Sequence, residues 1–175
     1  LDWVDTSNWL RNNTPEQFDN PNEYYSLIPE DPKYVILSWW DYGHYIIRIA
    51  HRVPTSNPAN WGAPGAYRFL TAQTVEEAET HIKGLPVKYI IVDLSIISPN
   101  ISWISPTQYR PIVPLGATNP QPGGKFPAIT RTVGLTGDWQ QYLGNSMAYR
   151  LYTSYVPGYK LVFERATIKI FEKVN

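Results

Sequence analysis

The sequence predicts a mixed α/β fold: a central sheet flanked by helices, closed by a C-terminal β-hairpin. Three observations predict it. Two apolar runs of strand length, residues 34–37 and 89–92, are separated by helical patterning instead of a short turn. A capping box, Thr74-Val75-Glu76-Glu77, opens a helix between them. The C-terminal residues alternate apolar and charged side chains, the period of a strand pair.

In chain order, residues 1–14 predict a short helix. Thr6 or Ser7 supplies its cap, Trp9 and Leu10 are apolar, and Pro15 bars Thr14 from helical backbone. Residues 15–33 are polar and proline-rich and read as a loop. Residues 34–38 form a buried strand that runs straight into Trp39-Trp40-Asp41-Tyr42-Gly43. A second helix follows. Ile46, Ile49, Ala50 and Val53 have the i, i+3, i+4, i+7 spacing of one apolar face, and Pro54 ends it. Residues 54–65 make another loop. The helix behind the capping box turns Val75, Ala78 and Ile82 inward, and Gly84 is placed to terminate it. Strand 87–92 then ends at Asp93. Residues 98–127 carry seven Pro, which predicts a long surface excursion of the kind that is often functional. Asp138 caps a last helix, with Trp139, Leu143, Met147 and Leu151 along one side and Gly144 as an interruption. Residues 159–163 and 166–174 form the hairpin, where Ile168, Ile170 and Phe171 take turns with Lys and Glu.

Composition narrows the function. Lys+Arg and Asp+Glu balance at 15 each, which argues against a general binder of phosphate backbones; no nucleic-acid partner is expected. There is no Cys, so disulfide frameworks and thiolate metal sites are excluded. No run approaches the roughly 18 apolar residues of a membrane span. The chain starts at Leu1 and not at Met, which suggests a piece of a longer protein, in particular a membrane protein. Seven Trp and 13 Tyr with neutral charge suit a module that recognises peptide or sugar.

The most informative residues are Trp39-Trp40-Asp41-Tyr42-Gly43 (WWDYG), at the carboxyl end of a strand, where α/β sheets commonly bind ligands. Indole N–H groups only donate, and an ionised Asp only accepts. Together they satisfy one hydroxyl fully, and a Ser or Thr on a bound peptide is such a group. A site built for a hydroxyl rejects analogues lacking it by about 10⁴ or more. Gly43 permits close backbone approach or a positive φ. The plainer alternative makes Asp41 a helix cap and the Trp pair core. A capping Asp can also keep one carboxylate oxygen for a ligand, so the two are compatible.

This pentapeptide is identical to the signature of the oligosaccharyltransferase catalytic subunit family. Its surroundings resemble the archaeal form: Trp9-Leu10, Asn13-Thr14-Pro15, Gly43-His44, Ala50-His51-Arg52, the helix 74–82, Lys88 to Asp93, Arg150-Leu151-Tyr152 and Leu161 to Glu164. The chain as a whole, residues 1–175, therefore resembles the single C-terminal soluble domain of such a subunit, without its membrane-spanning portion. The resemblance implies that Trp39, Trp40 and Asp41 bind the Ser or Thr hydroxyl two residues after the acceptor asparagine, while Tyr42 and Gly43 shape the turn. It implies an acceptor polypeptide carrying Asn-X-Ser/Thr as partner and a lipid-linked oligosaccharide as donor. It places the donor site and a divalent metal (Mn or Mg) in the membrane portion, with no cofactor and no catalytic residue in this chain, and the domain on the extracellular face of the membrane. The rival reading is a plain peptide- or carbohydrate-binding module with no part in catalysis.

A second family motif runs Asp, two residues, Lys, three residues, then Met or Ile. Lys125-Phe126-Pro127-Ala128-Ile129 fits its second half and is given a second-contact role, although Pro122 stands where the Asp belongs. His44, His51 and His81 lie too far apart for a metal site, which needs three or four converging ligands. Asn12-Asn13-Thr14 and Asn100-Ile101-Ser102 are themselves acceptor sequons, expected on surface loops.

Overall fold

The computed structural model describes residues 2–25, 31–56, 63–97 and 144–174. They build a four-stranded sheet in the order β1-β2-β4-β3, from β1 Val35–Leu37, β2 Val87–Asp93, β3 Tyr159–Arg165 and β4 Ile168–Lys173. β1 and β2 are parallel, whereas β4 runs antiparallel to both β2 and β3. The predicted mixed α/β fold with its C-terminal hairpin is what the chain adopts.

Both faces of the sheet are covered, and β2 shows why. Its sequence, VKYIIVD, is apolar at nearly every position, the pattern of a strand buried on two sides. Val87, Ile90 and Val92 pack with Phe69 and Leu70 of α3 (Ala63–Thr71), Ala78 and Ile82 of α4 (Val75–Ile82), and Met147 and Leu151 of α6 (Met147–Thr153). On the other face Tyr89 and Ile91 meet Leu10 of α1 (Asp2–Asn13) with Ile46 and Ala50. A short α5, Leu94–Ile97, follows β2 directly.

The local codes mostly work as read. Thr74 caps α4 by accepting the Glu77 N–H at 3.1 Å, and Gly84 turns the chain out with φ 84°. Glu77 reaches back to the N–H of Gln73 at 2.7 Å, one residue earlier than the standard box has it.

Several expectations need correction. α1 begins at Asp2, so neither Thr6 nor Ser7 is its cap. The Thr6 hydroxyl instead bonds the Asp2 carbonyl at 2.7 Å. The loop 15–33 contains a 3₁₀ turn, Pro21–Tyr25, and buries Gln17. The end of the loop expected over 54–65 is instead the start of α3, which begins at Ala63. The helix after the signature stops at Ala50, with His51 in left-handed backbone at φ 50°, so Val53 is not on its apolar face. The last helix is capped by Ser146, which accepts the Tyr149 N–H at 3.3 Å. Asp138, Trp139 and Leu143, the excursion 98–127, and Asn100 lie outside the described residues.

Candidate functional site

The signature occupies the carboxyl end of β1, where the chain changes from extended to helical. Trp39 is still extended (φ −58°, ψ 138°), Trp40–Tyr42 is one 3₁₀ turn, α2 is Gly43–Tyr45, and Ile46–Ala50 is a π turn. Successive 3₁₀, α and π geometry in a run of eleven residues, 40–50, marks a turn shaped by its surroundings more than by helix propensity; π turns concentrate at functional sites. Gly43 is right-handed, φ −55°, so its freedom to take positive φ is not used.

The two tryptophans have different surroundings. Trp39 is buried, 8% exposed, within the core under α3, with Tyr67 and Trp40 as ring neighbours. Trp40 is half-buried against the same cluster. Asp41 is exposed and does not cap a helix: it lies inside the 3₁₀ turn, and neither Trp39 nor Tyr42 makes a side-chain cap bond. The Trp39 indole N–H instead donates to Asp41 Oδ2 at 3.3 Å. That separation is at the long end for an N–H···O bond, whose usual length is about 2.9–3.0 Å.

Tyr42 is held at both its ring and its hydroxyl. Its ring stacks on Trp3 at 3.9 Å between centroids and 18° between planes. Its hydroxyl shares a 2.7 Å hydrogen bond with Ser95 Oγ. The Trp3 indole N–H donates to Asp93 Oδ2 at 2.9 Å, and Asp93 Oδ1 accepts the Ser95 N–H at 2.9 Å. Burial pushes the Tyr42 hydroxyl well above its ordinary pKa, and the Asp93 carboxylate adds to that, so the phenol stays neutral and keeps its proton for hydrogen bonding. Trp3, Asp93 and Ser95 were not singled out in the sequence. The available signal was Asp93, a carboxylate at the carboxyl end of the second parallel strand.

Behind the turn, the helical segment is tied to α1. Arg52 is 2% exposed; its Nε donates to Thr14 Oγ1 at 3.0 Å and its Nη2 to Thr14 O at 2.9 Å and Arg11 O at 3.1 Å. Its Nη1 reaches Glu16 at 3.4 Å. The guanidinium thereby satisfies carbonyls that the end of α1 leaves without helical partners. His51 stacks on Tyr24 and meets the Tyr25 hydroxyl at 3.0 Å, His44 is exposed on α2, and His81 lies 3.9 Å from Glu77 on α4. Lys125 and Ile129 lie outside the described residues.

A family model described as the AglB core domain matches residues 1–97, more than half of the chain and the whole of the signature turn with its Asp93–Ser95 support. This chain belongs to the AglB core-domain family. Among AglB-related proteins, dolichyl-phosphooligosaccharide-protein glycotransferase 3 of Archaeoglobus fulgidus is 36% identical over 115 residues, covering 54% of this chain and 13% of the relative. Glycotransferase 2 of the same organism is 28% identical over 176 residues, 98% of this chain and 26% of the relative. The chain thus spans about a quarter or less of the length of these curated relatives. Its fold is similar to the crystal structure of the C-terminal globular domain of an oligosaccharyltransferase from A. fulgidus, with a TM-score of 0.68 and 25% identity over 99% of this chain and 97% of that one.

Proposed function

We propose that this chain is the acceptor-recognition domain of an archaeal membrane oligosaccharyltransferase, which transfers a lipid-linked oligosaccharide to the asparagine of Asn-X-Ser/Thr. One observation carries the residue assignment: the Trp39 indole donor and the exposed Asp41 carboxylate face one another at 3.3 Å, at the carboxyl end of a parallel strand. A hydroxyl that displaces this long bond accepts the Trp39 N–H in place of Asp41 and donates its own proton to the carboxylate, so both of its hydrogen-bonding functions are met. Trp40 supplies the second indole donor and apolar cover, while Tyr42 and Gly43 hold the turn.

On this proposal the chain positions the acceptor and does not itself break bonds. Holding the asparagine amide in place converts an encounter into an oriented reaction, a contribution that can reach several kcal/mol of the barrier. The lipid-linked donor and a divalent metal (Mn or Mg) are assigned to a membrane-spanning portion, and the domain to the extracellular face. Lys125 and Ile129 are proposed as a second contact, with Ile129 against the methyl group of an acceptor Thr.

The test is Asp41→Ala in the full-length enzyme, assayed by glycan transfer to an Asn-X-Thr peptide. Removing a charged acceptor from a hydroxyl costs about 1.5–3 kcal/mol, which lowers kcat/KM by about 10- to 100-fold. Trp39→Phe and Trp40→Phe keep most of the ring and lose only the donor, so smaller losses are expected. Wild-type transfer by a correctly folded Asp41→Ala enzyme would remove the signature from the acceptor site.

A further inference from the structure

Four contacts around Tyr42 close into a ring: Tyr42 to Trp3 by stacking, Trp3 to Asp93, Asp93 to Ser95, and Ser95 back to Tyr42. Three elements that are distant in sequence supply it, namely α1, the signature turn, and the junction of β2 with α5. A closed ring constrains more than its contacts taken singly, because no member can move without breaking two of them. Tyr42 follows Asp41 directly, so the ring fixes where the Asp41 carboxylate stands relative to Trp39.

From this geometry we infer that Trp3 is a positioning residue for the acceptor site, acting through Tyr42; the inference rests on the function proposed above. Trp3 does two things at once. Its ring is the platform for Tyr42, and its N–H is anchored on the Asp93 carboxylate. A Trp buried merely as core has no need of either, and the same helix provides that comparison. Trp3 and Trp9 both pack against the Leu10 cluster, but Trp9 stacks on Phe163 of β3 at 4.8 Å and has no contact with the signature among the bonds and ring contacts described.

The experiment uses the full-length enzyme with both substrates varied. Trp3→Leu removes platform and anchor. The expected result is a rise of about tenfold in KM for an Asn-X-Thr peptide, the size of one lost hydrogen bond to a charged group, with KM for the lipid-linked donor unchanged. Trp3→Phe keeps a stacking ring and recovers part of the loss. Ser95→Ala deletes a single hydroxyl from the ring, keeps the backbone N–H that bonds Asp93, and raises the peptide KM in the same direction. Trp9→Leu, a comparable loss of aromatic packing on the same helix, leaves the peptide KM at the wild-type value. Equal rises in peptide and donor KM, or the same rise in Trp9→Leu, would reduce Trp3 to general structure and overturn the inference. So would an unchanged peptide KM in Ser95→Ala and Trp3→Phe. Asp41→Ala run in parallel separates the two levels. If it is silent, the proposed site fails; if it is damaging while the Trp3 and Ser95 variants are silent, only the positioning role fails.

Discussion

Arg52→Met tests how much the buried guanidinium contributes to the fold. Met retains much of the aliphatic stem and removes every donor. Four hydrogen bonds of 3.1 Å or less disappear, to Thr14 Oγ1, Thr14 O, Arg11 O and His51 O. Arg11 is exposed and His51 half-buried, so those two carbonyls can take up water. Thr14 is 7% exposed, and its two oxygens each lose a donor at a cost of about 1–3 kcal/mol apiece. Relief from desolvating the guanidinium offsets part of this. The contact with Glu16 adds little, because Glu16 is 57% exposed and a pair so open to water contributes about 1 kcal/mol or less. The net loss is about 3 kcal/mol, and at ~2–4 °C per kcal/mol for a chain of this size the melting temperature falls by about 6–12 °C. Thermal denaturation followed by circular dichroism reads this directly, with Glu16→Gln as the control that shifts Tm by about 4 °C or less. A drop under ~2 °C for Arg52→Met would show that desolvation cancels the bonds and that Arg52 does not secure the end of α1.

Three other outcomes are expected. Tyr89 is pushed up to about 12 by burial, and Tyr24, Tyr34, Tyr42, Tyr152 and Tyr159 are raised in the same direction. Unfolded tyrosines release protons near 10, before the folded ones do, so this stabilisation is complete below pH 10 and is lost as pH rises towards 12. Urea midpoints that stay level across that window would contradict the burial. Asn12 is a sequon asparagine, yet the Thr14 hydroxyl donates to Leu10 O and accepts from Arg52 Nε. The folded chain offered to an active oligosaccharyltransferase should stay unmodified at Asn12, while a short peptide with the same sequence is modified; equal modification by mass spectrometry would refute this. Finally, the chain by itself, mixed with lipid-linked oligosaccharide, Mn²⁺ and a sequon peptide, should give no product, and robust transfer would place catalytic groups within it.

What could be read from the residues was what short-range rules encode. β2 and α4 were legible because a capping box, a terminating glycine and an unbroken apolar run are local signals. α3 escaped because Pro64 and Gly65 look like loop residues. A proline in a first turn gives up only an N–H that has no helical partner, so it starts a helix as readily as it ends one. The signature was legible as chemistry, but its 3₁₀-to-π path was not, since spacing along the chain does not report hydrogen-bond register. Trp3 and Asp93 are 90 residues apart in sequence, and no periodicity joins them. Sequons point the same way: Asn12-Asn13-Thr14 reads as an open motif, and only the fold shows its hydroxyl committed.

Because the strand order is β1-β2-β4-β3, the strand that carries the signature is an edge strand. Its outer side is taken up by the same chain. Ile36 bonds the Val53 carbonyl at 3.0 Å and the Thr55 N–H at 2.8 Å, and Pro54 sits between them in an isolated bridge. Gln17 adds its amide across Tyr34 O and Val53 N. A proline has no N–H to pass the ladder on, so a neighbouring molecule finds nothing there to extend. With a formal net charge of zero at pH 7 the protein has little mutual repulsion to keep copies apart. At this edge of the sheet, pairing between copies is therefore opposed by that proline-sealed flank, and shortening residues 53–55 would open β1 to it.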